Sequence, residues 1–291
     1  MRKSLCLIIL SLASSGVLLA QEAGNRAYGT QKRRPQASTG QLTANAEAAS
    51  RIYFVEANVL MNVEADAYNA VFAVVQNGTT AAESNAKINT IISGFTRDLA
   101  TLNVKSNDIF VDFITQNKVY DYVTAGTVIT EKLSGFETKK NVVVRYKDRE
   151  LLEKILSAAT KNSIFDLIEV EYVVNDIPAI QARLADEAVK IVKRKEASYG
   201  NSFGIKLAGT NVANEKYDAF YPVDLYSNYQ AFEAGRTSGD YNRTVIEQRK
   251  TRTFFYEPLD ASSFDSVINQ MGIEPMVQFT LYMRMQYDLK K

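Results

Sequence analysis

The chain is 291 residues long, carries 34 Lys and Arg against 33 Asp and Glu, and has one cysteine and no histidine. The missing histidines exclude a His-activated nucleophile, a His-bearing zinc site and a His-ligated haem, and the lone Cys6 excludes a disulfide framework or a redox pair. Near-neutral charge gives no electrostatic basis for nucleic acid as a partner.

Arg2 and Lys3 precede an apolar run from Leu5 to Leu19, and the small Ala20 stands before the polar Gln21-Glu22-Ala23. This is the layout of a cleaved secretory signal over residues 1–20. Cys6 lies at the start of the apolar run rather than its end, which argues against lipidation, and its removal leaves neither Cys nor His. No later run approaches the ~20 apolar residues of a spanning helix, so no integral membrane span is expected after cleavage. The expected location is the periplasm, with association at the outer membrane as an alternative. Stability must then come from the core rather than from disulfides. Residues 21–50, rich in Gln, Ala, Ser, Gly, Arg and Asn, read as a flexible solvated segment, and Lys32-Arg33-Arg34-Pro35 as a solvated basic stretch.

From Ile52 the pattern changes. Tyr53, Val55, Ala57, Val59, Met61 and Val63 alternate, then Tyr68, Ala70, Phe72 and Val74, which predicts two strands joined near Glu64 and Ala65. Asn77-Gly78 breaks the alternation. Thr80 and Glu83 have the spacing of a capping box, and Ile88, Ile91, Ile92, Phe95, Leu99 and Leu102 form one helical face that Asn103 can close in the left-handed conformation. An extended stretch from Asp108 to Thr115 precedes a variable polar loop, and Gly135 to Tyr146 reads as a strand. Asp148 is placed to cap a short helix bearing Leu151, Leu152, Ile155, Leu156 and Ala159. Ile164 to Val174 is a further strand, with Ile168, Val170, Tyr172 and Val174 on one face.

Pro178 suits the first turn of a longer helix striped by Ile177, Ile180, Leu184, Ala188 and Ile191. Lys190, Lys193, Arg194 and Lys195 are read as crowding its end, where cations suit the helix dipole. Residues 203–212 read as a short strand, and 213–252 as an irregular stretch rich in Tyr, Asn, Gly and Arg. Met276 to Leu289 alternates throughout, so one face should be buried and the other wet. The mixture of hairpins and crossover helices predicts an α+β fold with mixed, largely antiparallel sheets and helices packed on one face.

This order, with the residues at its joints, resembles the SIMPL-domain family over residues 52–212 and the final strand. The matching stretches are Val63-Glu64-Ala65-Asp66-Ala67 at the family's first hairpin, and Asn103-Val104 followed by Ile109 to Thr115. They continue with Gly135-Phe136 before Val142-Val143-Val144, Asp148 to Leu152, and Arg183-Leu184-Ala185-Asp186-Glu187-Ala188. Glu56-Ala57-Asn58 stands where the family usually has glycines, and Ala65 replaces its turn proline. The resemblance implies an α+β domain over 51–291 with a Tyr-rich insertion at about 213–252. It also implies an envelope location, a stress-related role, ring-like self-assembly, and no catalytic residues to carry across.

Glu169 and Glu171 project from one strand face, as paired carboxylates in acid–base catalysis do, but no second pair is placed opposite. Asp108 and Asp112 lack the alternating spacing of a calcium loop, and no dinucleotide or Walker loop is present. No cofactor and no metal is expected, and the chain is read as non-enzymatic. Gly235-Arg236-Thr237-Ser238-Gly239 reads as a flexible turn, and the glycosylation patterns at Asn77 and Asn242 as chance matches. The candidate interaction surface is aromatic and basic: Tyr217, Tyr221, Tyr226, Tyr229, Arg236, Tyr241 and Arg243. Two functions remain open: homo-oligomerisation, in company with an envelope protein partner or alone, and a ligand- or partner-binding module using 213–252.

Overall fold

The computed structural model describes residues 52–204, 206–230 and 252–290. Residues 1–20, expected as a leader, the segment 21–50 and the residues Arg236, Tyr241 and Arg243 lie outside the described residues, as do Asn242 and the residues 235–239 expected as a turn. In chain order the elements are β1 (Ile52–Val63), β2 (Ala67–Gly78), α1 (Ala81–Thr101), β3 (Ile109–Ala125), β4 (Val128–Tyr146), α2 (Leu151–Lys161), β5 (Asp166–Val173) and α3 (Ile177–Phe203). There follow β6 (Lys206–Phe220), β7 (Tyr226–Gln230), β8 (Arg252–Tyr256), β9 (Ser266–Ile268) and β10 (Val277–Lys290). Among the described residues no helix is long and apolar enough to cross a membrane.

The strands form two four-stranded sheets, β6-β10-β1-β9 and β3-β4-β2-β5, and a ribbon of β7 and β8. Pairing is antiparallel except between β1 and β9, so the fold is α+β with mixed, largely antiparallel sheets. The first correction concerns β1 and β2, which do not form a hairpin. β1 pairs with β10 and β9, while β2 pairs with β4 and β5, so Glu64-Ala65-Asp66 passes the chain from one sheet to the other. Alternation fixes which face of a strand is buried, not which strand lies beside it. Asp66 ties this crossing to the end of β5: its N–H donates to the Val173 carbonyl at 2.8 Å, and its carboxylate accepts the Asn175 N–H at 2.7 Å.

Helices α1 and α2 cover one face of the β3-β4-β2-β5 sheet. Thr80 Oγ1 accepts the Glu83 N–H at 3.1 Å, as the capping box requires, but the Glu83 carboxylate returns to the Thr79 N–H at 2.7 Å rather than to Thr80. Ile88, Ile92, Phe95 and Leu99 are buried, with Phe95 edge-on to Phe72 at 5.4 Å. Asn103 closes α1 at φ 62°, and Ser163 closes α2 in the same way at φ 60°; each is followed by a buried aliphatic, Val104 or Ile164. Asp148 does not cap α2 directly. The helix begins at Leu151, and the Asp148 carboxylate instead accepts the Glu150 N–H at 3.0 Å in the turn before it.

Helix α3 covers one face of the other sheet through Ile180, Leu184, Ala188, Ile191 and Val192, packed on Val55, Ala57, Val59, Leu281 and Phe279. Asp176 caps it by accepting the Ala179 N–H. The helix continues to Phe203, so Lys190 to Lys195 lie in its interior rather than at its end. Lys195 has a structural use there: it meets Asp265 at 2.6 Å and donates to the Glu56 carbonyl at 2.9 Å. The residues in place of the family glycines are also engaged. Glu56 accepts from the Tyr282 hydroxyl at 2.7 Å, Ala57 is buried, and the Asn58 amide donates to the Ser263 carbonyl at 3.1 Å.

Four further expectations are corrected. β10 has no wet face along its first half, since Gln278, Thr280 and Tyr282 are buried along with Val277, Phe279 and Leu281. Leu225, Leu259, Tyr256 and Phe264 close over that second face at Leu60. Its polar groups satisfy one another: the Leu259 N–H donates to Gln278 Oε1 at 2.7 Å, Gln278 Nε2 to Asn62 Oδ1 at 2.8 Å, and Asn62 Nδ2 to the Asn269 carbonyl at 2.7 Å. On β5 a bulge makes Ile168 the extra residue, so Leu167 rather than Ile168 shares a face with Val170. Residues 116–134 are not a loop but the outer halves of β3 and β4, joined through Gly126 at φ 63°. The strand expected over 203–212 runs on to Phe220, into the Tyr-rich stretch.

Candidate functional site

Register aligns three tyrosines in one row. Tyr68 on β2 lies opposite Tyr146 on β4 and opposite Tyr172 on β5. Its ring stacks on Tyr146 at 5.4 Å and meets Tyr172 edge-on at 5.1 Å, contacts worth about 0.5–1.5 kcal/mol each beyond burial. The row walls a cavity of about 180 Å³ completed by Arg149 before α2, by Leu152, by the bulged Leu167–Val170 stretch and by Val223 and Tyr226. Burial raises all three phenols: Tyr146 above the ordinary range, Tyr172 to about 12, and Tyr68 in the same direction. They therefore remain neutral donors at any physiological pH. None of the three hydroxyls hydrogen-bonds to another described residue. Arg149 Nη1 donates to Glu274 at 3.0 Å, a partner whose side chain is 76% exposed. Glu169, also in the wall, has no ion-pair or side-chain hydrogen-bond partner among the described residues.

A second feature is the projecting end of the β3–β4 hairpin. β2 ends opposite Phe136, so from Val119 to Gly135 the two strands pair only with each other. Directly opposed residues share a face in such a ladder. Tyr120, Tyr122, Ile129 and Leu133 therefore occupy one face, and Val123 and Val128 the other with the opposed Asp121 and Lys132. These apolar side chains are in water: Tyr122 is 71% exposed, Ile129 66% and Val128 60%.

The aromatic residues chosen from the sequence are spread by the structure. Tyr217 and Tyr221 pack against the α3 core, and burial with the adjacent Glu215 pushes Tyr217 up to about 12. Tyr226 lines the cavity and meets Tyr256 edge-on at 5.9 Å. Tyr229 points to solvent, while Arg236, Tyr241 and Arg243 fall outside the described residues. Glu169 and Glu171 do share a face; Glu171 accepts from Asn69 Nδ2 at 3.2 Å. Asp108 ends a short 3-10 turn and Asp112 sits exposed on β3, and among the described residues no three acidic side chains gather as metal ligands do. Sequence reasoning placed Tyr68, Tyr146 and Tyr172 on strands but not together, because only strand register makes them neighbours. Arg149 gave no sequence signal at all.

Against known proteins, one family model matches residues 55–251, more than half of the chain; it is described as SIMPL, protein of unknown function (DUF541). No curated protein matches the chain.

Proposed function

The chain belongs to the SIMPL family, and from that premise we propose that it is an exported, non-enzymatic envelope protein that works by associating with further copies of itself. The observation that supports this most directly is the projecting β3–β4 hairpin. A two-stranded ribbon is marginal in water on its own, and this one exposes apolar side chains on both faces and an open β3 edge. Such a surface normally becomes an interface. The leader-like residues 1–20 support export to the periplasm. The lack of His and the position of the lone Cys support a role without catalysis, and the family resemblance supports one in envelope stress defence.

Light scattering coupled to size exclusion on residues 21–291 tests the reading. The expected result is a discrete mass above that of the monomer, which the double substitution Tyr122→Ser with Ile129→Ser returns to the monomer. A wild-type chain that stays monomeric at every concentration overturns it. A second reading, a binding module that draws on the Tyr-rich segment, is favoured by the place of Tyr226 in the cavity wall.

A further inference from the structure

We propose that the cavity beside the tyrosine row binds a small organic carboxylate, an anion that carries one apolar group of about the size of a benzene ring. The inference rests on the binding-module reading and is independent of self-assembly. The cavity, about 180 Å³, is comparable to those that hold a single benzene ring. Leu152, Leu167 and Val170 offer aliphatic contact to such a group, and Tyr68 and Tyr172 offer ring edges and faces.

The polar groups around the tyrosine row are donors. Arg149 brings a guanidinium with five N–H groups and no acceptor, more than its bond from Nη1 to Glu274 uses. Burial raises the phenols of Tyr68, Tyr146 and Tyr172, and the Arg149 charge opposes that rise at each, so the guanidinium stands close to all three hydroxyls. The hydroxyls donate to no described residue. They are not sealed in either: the fully buried side-chain polar atoms without a partner among the described residues are Asn58 Oδ1 and Arg284 Nε. Glu169 is no counter-charge to this group. It lies opposite Val71, on the sheet face away from Tyr68, Val170 and Tyr172. Glu274 and Glu64, the acids that act on Tyr68, are exposed and lie outside the lining.

Donors gathered around one fixed positive charge match a ligand made of acceptors. A carboxylate supplies two oxygens, which take a forked pair of bonds from the guanidinium and further bonds from the phenols. A cation would meet Arg149 uncompensated, so the tyrosines do not form a cage for ammonium groups. A bare inorganic anion would leave the aliphatic wall unused.

Calorimetric titration of residues 21–291 with benzoate, benzyl alcohol, benzylamine and acetate tests this. Saturable binding of benzoate is expected, with the other three at least about tenfold weaker, since each lacks either the negative charge or the ring. Arg149→Met should abolish the advantage of benzoate over benzyl alcohol and leave benzyl alcohol itself unchanged, whereas a misfolded variant loses both. Glu274→Gln should tighten benzoate severalfold by removing the carboxylate that competes for the guanidinium, a gain that no damaged fold produces. Benzyl alcohol, benzylamine or acetate binding as tightly as benzoate overturns the carboxylate while the binding reading stands. So does a benzoate affinity that survives Arg149→Met or fails to tighten in Glu274→Gln. Absence of saturable binding by all four up to about 10 mM overturns both, and the assembly experiment is unaffected.

Discussion

At the scale of single residues, the first helix is held at its start by one carboxylate with three partners. Glu83 meets Lys87 at 2.7 Å and accepts from both the N–H and the hydroxyl of Thr79. The Lys87 contact first, and the Thr79 bonds after it, lower its carboxyl to about 2. A carboxyl lowered on folding stabilises above its ordinary pKa and loses that contribution as pH falls through the folded value. The chain should therefore lose stability between about pH 4.5 and about 2, and Glu83→Gln should remove part of that slope. Urea melts of the two proteins at several acid pH values measure it; parallel slopes would show the capping carboxylate to be inert. Thr80 and Glu83 were legible in the sequence because a cap is a local pattern, three residues long. The row of Tyr68, Tyr146 and Tyr172 was not, since its members sit on three strands and meet only through register.

At the scale of elements, the helices followed their apolar stripes, whereas the strands hid two facts. Alternation in β10 marked one face as polar, yet Gln278 and Asn62 on that face are buried because they complete each other's hydrogen bonds. Tyr120, Tyr122 and Val123 belong to a strand, but with both faces of the hairpin in solvent no alternation survives to announce it. The root of that hairpin depends on a close backbone approach. A Cβ on Gly135 would stand 2.6 Å from the Gly78 carbonyl oxygen, where β4 passes the end of β2. Gly135→Ala should therefore destabilise by about 1–3 kcal/mol, the usual cost of overpacking. A shift in urea midpoint at constant slope would register this, and an unchanged midpoint would deny the close approach.

At the scale of the whole molecule, one sheet is nested within the other along the chain. β2 to β5, with α1 and α2, come from the continuous stretch 67–173, while the other sheet sets β1 beside β10. Asn62 and Gln278, which bond across that junction, are 216 residues apart in sequence. Contacts between distant residues form late because their loop-closure entropy must be met first. Pulse-labelled hydrogen exchange during refolding should thus protect the amides of α1, β2 and β4 before those of β1 and β10; simultaneous protection would contradict this order. On the proposed export, the same arrangement would bear on passage through a secretion pore. If the chain emerges amino end first, β1 is among the first ordered segments to appear, and it waits, apolar and unpaired, until nearly everything else has crossed. Over that interval its unsatisfied edges are open to any extended peptide nearby, so a holding chaperone on the far side of the membrane would have β1 as its natural client.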